Sequence, residues 1–214
     1  MKALRQKIYH ITHIDNLNNI LQNKVLWSDA KRIELGMDCE IVGMSKVKQR
    51  RLEELEVKCY PGTMVGEYVP FYFCPRSIML YILHQGNHPD ITYHGGQVPI
   101  LHLQADLQAT IDWADSNNIR WAYSDINAGT YCAQFYNDPG QIDDIINWPS
   151  VNATNWREAK IQEYKQAEFL TYESFPWELV EKVGVCNNEV RQQVLAKLGD
   201  VRVPEVCVES DWYY

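Results

Sequence analysis

The amino-acid sequence predicts an α+β protein with mainly antiparallel sheets. Short segments rich in aromatic and β-branched residues recur along the 214-residue chain, which is typical of strands. Other segments place apolar residues at helical spacing, but they are fewer than the strands and do not alternate evenly with them. No internal repeat or low-complexity linker divides the chain, so we expect one domain over residues 1–214.

The first 125 residues contain four predicted strands and four predicted helices. Residues 7–12 (KIYHIT) have the composition of a strand, and residues 13–23 then place Ile14, Leu17 and Ile20 on one helical face. Residues 28–66 are polar, basic and glycine-containing, which predicts a long loop with a short helix near 45–56. A loop of this length inside a domain is usually functional. The later strands are expected at 68–75, 99–106 and 120–125, and the later helices at 76–86 and 107–118.

The rest of the chain begins with a second irregular segment, residues 126–148, which is rich in aromatic and amide side chains. Pro176 fits the first turn of a helix over 175–183, and Gly199 fits the end of a helix over 189–200. The other predicted elements are a helix at 155–165, strands at 166–173 and 183–188, and an extended segment at 201–210.

The composition argues against several classes of protein. No stretch approaches 18 consecutive apolar residues, and the N-terminus lacks the apolar segment of a signal peptide, so no membrane span is expected. The six cysteines are scattered without a C-x-x-C pair, which is typical of reduced thiols in a cytoplasmic protein. No His/Cys cluster supplies four ligands, so no metal site is predicted.

The charge distribution is uneven. The net charge of −8 argues against a protein that coats nucleic acid non-specifically. Residues 1–58, however, hold 11 Lys/Arg against 8 Asp/Glu, and KVKQRR (residues 46–51) places four cations in six positions. Such a run is either a solvated surface or a local phosphate-binding patch.

Two histidines, His10 and His13, lie in the first predicted strand. Positions i and i+3 of a strand point to opposite faces, so the two side chains cannot share a metal ion without a break between them. Two interpretations stay open for His10: a core histidine with its polar atoms satisfied, or a histidine that binds a ligand together with Thr12.

One carboxylate stands out in the predicted strand KQAEFLTY. Gln166, Glu168 and Leu170 share one face of this strand, and Ala167 and Phe169 lie on the other. A single strand glutamate is usually solvated. It becomes a functional candidate if its face lines a cleft.

Taken together, these segments resemble a known family. YHITHIDNL, QRR, YVPFYFCPRSIMLY, GGQVPILHL, KQAEFL and the terminal WYY occur in one order. This set resembles the DNA ADP-ribosyltransferase toxins called DarT, the toxin half of the DarT–DarG toxin–antitoxin systems. The similarity runs from about residue 7 to residue 214.

The resemblance implies an ADP-ribosyltransferase-like fold, with two small and mainly antiparallel sheets around an NAD cleft. It implies a cytoplasmic toxin that transfers ADP-ribose from NAD onto a base in single-stranded DNA, most often thymine, in a sequence-specific manner that blocks replication. The implied partner is a macrodomain antitoxin of the DarG type. The alternatives are transfer to guanine, RNA or protein, and a catalytically idle NAD-binding module.

The resemblance also implies roles for individual residues. Residues 32–53 correspond to the NAD-covering element and residues 127–168 to the substrate-recognition loop, with Asn127 near the place of a histidine in some relatives. The implied catalytic residues are Glu168 and Arg51. The implied NAD contacts are His10, Ile11, Thr12, Asn19, Trp27 and Arg51. The candidate DNA contacts are Lys46, Lys48, Arg50, Arg76 and Tyr136, and the loop aromatics that could stack on bases are Tyr131, Phe135, Tyr136 and Trp148.

Elementary chemistry agrees with the two catalytic assignments. Breaking the bond between nicotinamide and ribose develops positive charge on the ribose, which a carboxylate such as Glu168 can stabilise. The family's proposed proton acceptor matches Arg51, but an arginine has a pKa above about 12 and is a poor base. We therefore expect Arg51 mainly to stabilise the negative charge that develops on the attacking base, and a phosphate of NAD.

Overall fold

In the computed structural model, the protein is described over residues 6–199 and 204–214. Ten strands and nine α-helices lie within these ranges. The strands are β1 (Lys7–His13), β2 (Val25–Trp27), β3 (Tyr68–Tyr72), β4 (Ile100–Asp106), β5 (Trp121–Ser124), β6 (Phe135–Tyr136), β7 (Glu168–Tyr172), β8 (Ser174–Pro176), β9 (Val180–Val185) and β10 (Glu205–Val208). The α-helices are α1 (Leu17–Asn23), α2 (Asp29–Glu34), α3 (Ser45–Glu53), α4 (Ile78–Gln85), α5 (Leu107–Ser116), α6 (Ile142–Ile145), α7 (Trp148–Val151), α8 (Ala159–Tyr164) and α9 (Asn188–Leu198).

The strands form two sheets. The main sheet has the strand order β10-β9-β4-β1-β3-β7-β5-β6, and β2 pairs with β8 in the second. All pairs are antiparallel except β9 with β10. The predicted α+β class with two sheets is confirmed, but the main sheet is larger than expected, since it extends over eight strands.

The centre of the main sheet positions the residues of interest. Strand β1 pairs with β4 along its whole length and with β3 at the Tyr9–Tyr72 position. Strand β3 pairs with β7 so that Tyr72, its last residue, lies opposite Glu168, the first residue of β7. Glu168 is therefore held at the end of a central strand.

Apolar side chains of these strands are removed from water. Ile8, Phe71, Leu103 and Phe169 are each at most 1% exposed. Burial of one such side chain stabilises the fold by about 1.5–3 kcal/mol. The strands that carry the site thus belong to the hydrophobic core and form a rigid support.

One predicted helix is wrong. Residues 175–183 form the end of β8, a 3₁₀ turn and the start of β9. The β-branched residues Val180, Val183 and Val185 are buried in the sheet. Pro176 sits at the end of β8, opposite Val25 of β2, and so marks a strand end instead of a helix start.

Other predictions near the helices and the C-terminus are largely confirmed. Helix α3 lies where a short helix was expected, but α2 was missed inside the predicted loop. Helix α9 ends before Gly199, whose φ of +57° favours glycine. Within the predicted extended segment 201–210, Glu205–Val208 forms β10, and residues 201–203 lie outside the described residues, as does Asp200. Over the described ranges, no helix is long and apolar enough to cross a membrane.

Candidate active site

A cleft of about 260 Å³ opens between β1, β3 and the segment that carries α2 and α3. Helices α1 and α4 contribute further lining residues. All six residues implied as NAD contacts lie on its wall, namely His10, Ile11, Thr12, Asn19, Trp27 and Arg51. The fold thus brings together residues that are up to 41 positions apart in the sequence.

Two asparagine side chains, one just before α1 and one within it, hydrogen-bond to the backbone of the segment after α2 and hold it against the cleft. Asn16 donates from Nδ2 to the carbonyl of Glu40 (3.0 Å) and accepts at Oδ1 from the Glu40 amide (2.7 Å). The same Nδ2 donates to Thr12 Oγ1 (3.1 Å), and Asn19 Nδ2 donates to the Asp38 carbonyl (3.0 Å). Asn16 is not predictable as a site residue, because a single sequence does not show which group an amide side chain binds.

Glu168 lies buried beside the cleft and is bound tightly by Arg51. Arg51 Nη1 donates to Oε1 (3.2 Å) and Oε2 (3.0 Å), and Nη2 donates to Oε2 (2.9 Å). The amide of Ala128 donates to Oε1 at 3.0 Å. An ionised carboxylate has about four acceptor sites, so these four contacts use its whole capacity.

The charges of this pair determine what each side chain can do. Burial lowers the pKa of Arg51, and the attraction of Glu168 outweighs this effect, so the pKa of Arg51 is raised above its ordinary value. Burial, together with the charge of Glu168, raises the pKa of Tyr72, which also lines the cleft. Neither Arg51 nor Tyr72 acts as a base in this arrangement, since the raised pKa of each means that it holds its proton strongly.

His10 has a defined protonation state. Its Nδ1 lies 2.8 Å from the carbonyl oxygen of Pro70, which can only accept, so Nδ1 carries a proton. Burial lowers the pKa of His10 below its ordinary value, which keeps the ring neutral at pH 7. Nε2 is then an acceptor for a hydroxyl or amide of a ligand. His13, in contrast, accepts from the Asp15 amide at 3.2 Å and contacts Tyr93, as a structural residue does.

Lys48, one of the predicted DNA contacts, lies on the cleft wall. Its Nζ is 2.8 Å from each carboxylate oxygen of Asp29, and Arg32 Nη2 is 3.8 Å from the same carboxylate. Burial raises the pKa of Asp29, but Lys48 and the neighbouring arginines outweigh it, and the net shift is downward. Asp29 is therefore ionised and holds Lys48 in place within the cleft.

The other predicted DNA contacts have separate local environments. Lys46 is mostly exposed and pairs with Asp90 at 2.6 Å. The guanidinium of Arg50 lies 5.6 Å from the ring centre of Tyr131, and that of Arg76 lies 4.3 Å from the ring centre of Tyr214. Tyr136 stacks on Tyr123.

Two residues that line the cleft carry buried donors without partners in the described part of the chain. Trp27 Nε1 and Arg32 Nε are buried, line the cleft wall and have no hydrogen-bond partner among the described residues. Buried donors without partners are rare in proteins, so a ligand that accepts hydrogen bonds would stabilise them. A dinucleotide with phosphate and ribose oxygens fits this requirement. In the part of the chain that the structure describes, no three His, Cys, Asp or Glu side chains are grouped as metal ligands.

Comparisons with known proteins agree with this geometry. The family model described as "ssDNA thymidine ADP-ribosyltransferase, DarT" matches residues 9–214. A DNA ADP-ribosyl transferase of Thermus sp. (strain 2.9) is 36% identical over 213 residues, which cover 97% of this chain and 95% of the relative. A DNA ADP-ribosyl transferase of Mycobacterium tuberculosis is 29% identical, with 97% and 88% covered.

Solved structures show the same fold. The structure of Thermus sp. 2.9 DarT in complex with ADP-ribosylated ssDNA matches with a TM-score of 0.87 at 34% identity, covering 98% of this chain and 97% of that one. The complex of the Thermus protein with NAD+ matches with a TM-score of 0.79 at 33% identity, covering 98% of each chain. Thermosipho africanus DarTG in complex with ADP-ribose is 22% identical with a TM-score of 0.77, and this chain covers 51% of it. Because the family model spans nearly the whole sequence, the chain belongs to the DarT family of ssDNA thymidine ADP-ribosyltransferases.

Proposed function

We propose that this chain, as one domain over residues 1–214, transfers ADP-ribose from NAD to thymine in single-stranded DNA. The observation that carries the proposal is the buried pair of Glu168 and Arg51 beside the cleft, in a chain that belongs to a family of such transferases. NAD supplies the ADP-ribosyl group, with nicotinamide as the leaving group.

Cleft residues account for binding of the donor. The neutral ring of His10 presents an acceptor at Nε2, and Trp27 and Arg32 present donors without partners. Lys48, held by Asp29, adds a cation beside Arg51 on the same wall. Donors and cations of this kind suit the ribose hydroxyls and the two phosphates of NAD.

Glu168 stabilises the positive charge that develops on the ribose when the nicotinamide bond breaks. A carboxylate in a buried site acts strongly on such a charge, because water does not screen it. All four acceptor sites of Glu168 are filled by Arg51 and the Ala128 amide. A ribose hydroxyl that binds Glu168 therefore displaces a contact of Arg51 or of the Ala128 amide, and the loss of an Arg51 contact frees part of the guanidinium.

The freed guanidinium then has a second role. The thymine nitrogen attacks the ribose C1′ as the bond to nicotinamide breaks, nicotinamide leaves with the electron pair, and the proton of the thymine nitrogen passes to solvent. As this proton leaves, negative charge develops on the base until the new bond has formed. Arg51 keeps its own proton, since its pKa is raised by the attraction of Glu168, and stabilises this charge by hydrogen bonding. When a ribose hydroxyl of NAD replaces a contact of Arg51, the binding of NAD therefore frees the guanidinium that stabilises the thymine ring.

The cellular setting follows from the same family relationship. We expect the chain to act in the cytoplasm, where chromosomal DNA is accessible, as a toxin controlled by a macrodomain antitoxin of the DarG type. Support comes from the similarity in fold to Thermosipho africanus DarTG, a chain about twice as long. An exposed unpaired base requires no flipping, which favours single-stranded over duplex DNA.

The direct test incubates the purified chain with adenine-labelled NAD and a panel of acceptors. The panel contains single strands with one thymidine, single strands with guanine but no thymine, duplex DNA, RNA and unrelated protein. We expect label on the thymidine strand only, with a mass increase of one ADP-ribose. Labelling of guanine strands, RNA or protein would show that the chain modifies another acceptor. Binding of NAD without transfer of ADP-ribose to any acceptor would show that the chain is a catalytically idle module.

A further inference from the structure

A second groove lies beside the active site and is not used by the chemistry above. It has a volume of about 360 Å³ and an apolar floor of Leu55, Met64, Ala133 and Phe135. Its rim is polar and consists of Glu54, Glu56, Lys58, Thr130 and Tyr131.

Tyr131 differs from the other aromatic residues of the substrate-recognition loop. Its side chain is 62% exposed, whereas Phe135 is 9% exposed and Trp148 packs against Phe73. Tyr136 stacks on Tyr123. Tyr131 is therefore the most exposed of the four loop aromatics considered from the sequence, and its ring is the most accessible to another ring.

The groove is close to the reacting centre through two connections. Tyr131 follows Ala128, whose amide binds Glu168, by three residues, a distance of at most about 11 Å along an extended chain. Arg50, which lies over Tyr131, directly precedes Arg51 in α3. Stacked nucleotides of one strand are about 3.4 Å apart along the axis, so the groove is within reach of a base about three positions or fewer from the modified thymidine.

The charges of the rim favour one class of base. Glu54 accepts from the Tyr131 hydroxyl, and Glu56 accepts from the Gly62 amide at 3.3 Å. A carboxylate has about four acceptor sites, so both retain capacity for further donors. Carboxylates accept from the exocyclic amino groups of bases, such as N4 of cytosine, and repel the carbonyl oxygens of thymine. Lys58 and Arg50 provide cations at the edge for the adjoining phosphates.

We propose that this groove is a flanking-base subsite, in which a base with an exocyclic amino group stacks on Tyr131 and donates to Glu54 or Glu56. The inference rests on the proposed transfer to single-stranded DNA and adds the choice of a neighbouring base. It makes Tyr131 and Glu54 residues that determine sequence specificity, without contact to NAD or to the reacting atoms.

The test measures kcat/KM for transfer to short strands with one thymidine, in which each position within three nucleotides carries each base or an abasic site. The variants are Tyr131→Ala, Tyr131→Phe, Glu54→Gln and the control Glu53→Gln. Glu53 is the neighbouring carboxylate; it binds Gln49 at 3.2 Å and does not line the groove. NAD hydrolysis without DNA is measured for each variant to show that the active site is intact.

We expect the wild-type chain to prefer an amino-bearing base over thymine or an abasic site at one flanking position. Tyr131→Ala should lose roughly 5- to 150-fold in kcat/KM, corresponding to 1–3 kcal/mol for one stacked base, while Tyr131→Phe retains most of the activity. Glu54→Gln should flatten the base preference, and Glu53→Gln should keep it.

Transfer that is indifferent to every flanking base would overturn the inference. So would equal behaviour of Glu54→Gln and Glu53→Gln, or a Tyr131→Ala variant that matches the wild type. Failure of the proposed function has a different signature, since the wild-type chain would then modify none of the strands.

Discussion

The two faces of helix α3 carry the same kind of side chain and use it differently. On the face toward the cleft, the side chains of Lys48 and Arg51 are 28% and 14% exposed and are bound to Asp29 and Glu168. On the outer face, Lys46 is 80% exposed at its side chain and Arg50 lies over Tyr131. In the sequence these four residues form one cationic run, yet the helical spacing separates them by face.

This difference shows that the burial of a cation determines whether it is held in place or can exchange its partner. A buried cation is stable only with a partner, so each cleft cation is fixed in position by a carboxylate from another part of the chain. An exposed cation in a surface pair contributes about 0–1 kcal/mol and remains free to exchange its partner for a phosphate. We therefore propose that the inner face serves NAD binding and catalysis, and that the outer face binds DNA.

The largest effect is expected at Glu168, which gives the inner face its catalytic partner. Glu168→Gln should reduce ADP-ribose transfer at least 100-fold, since it removes a charge that stabilises the transition state. The substitution also leaves Arg51 as a buried unpaired charge, which can cost about 3–5 kcal/mol of folding stability. Transfer is therefore measured at temperatures where circular dichroism shows the variant folded, with Glu53→Gln as the control. Near-normal transfer by a folded Glu168→Gln variant would remove this residue from the mechanism.

A smaller effect is expected from Arg51→Lys, which keeps the positive charge but removes the planar guanidinium. Arg51→Lys cannot make the two-pronged contact to Glu168, because lysine is a point donor. Loss of a charge-assisted contact should lower turnover about tenfold or more, with DNA affinity changed less than twofold. Single-turnover kinetics and fluorescence anisotropy measure the two quantities separately. An equal loss in both would mean that Arg51 is a general DNA contact.

The smallest effect is expected on the outer face. Arg50→Ala should weaken single-stranded DNA binding a few-fold and make the dependence of log affinity on log salt shallower by about 0.7, the value for one phosphate contact. Two to four such contacts predict a slope of roughly −1.5 to −3 for the wild-type chain. Lys46→Ala is the matched comparison at the other end of α3. Its effect on DNA affinity should be smaller than that of Arg50→Ala, because Asp90 already binds Lys46. A steep slope with strong dependence on strand length would contradict this assignment of the outer face.

Much of the fold was predictable from local pattern. The strand at residues 7–12, the helix that ends at Gly86 and the strand that contains Glu168 are all found close to their predicted positions. Residues 175–183 were assigned to a helix because Pro176 suits a helix start as well as a strand end. Only the pairing of β9 with β4 and β10 decides between the two, and these partners are distant in sequence.

The site was predictable as a set of residues but not as a set of contacts. The family resemblance placed Glu168, Arg51 and His10 in one site, and the cleft brings these regions together. The pairing of Lys48 with Asp29 spans 19 residues and that of Arg51 with Glu168 spans 117, and no local rule predicts either. From the sequence Lys48 is therefore predicted only as a DNA contact, and its position on the cleft wall adds the proposal that it binds NAD.

The central claim is that one helix divides its cations between two substrates, and it is tested most directly by comparing Lys48→Ala with Arg50→Ala. Calorimetry gives the affinity of each variant for NAD, and fluorescence anisotropy gives its affinity for a short single strand. Lys48→Ala removes a cation from the cleft wall and leaves Asp29 with only the longer contact to Arg32, so it should weaken NAD binding about 3- to 10-fold and leave DNA binding unchanged. Arg50→Ala should weaken DNA binding and leave NAD binding unchanged. If both variants weaken the same ligand, or each weakens both ligands equally, the two faces of α3 do not have separate functions.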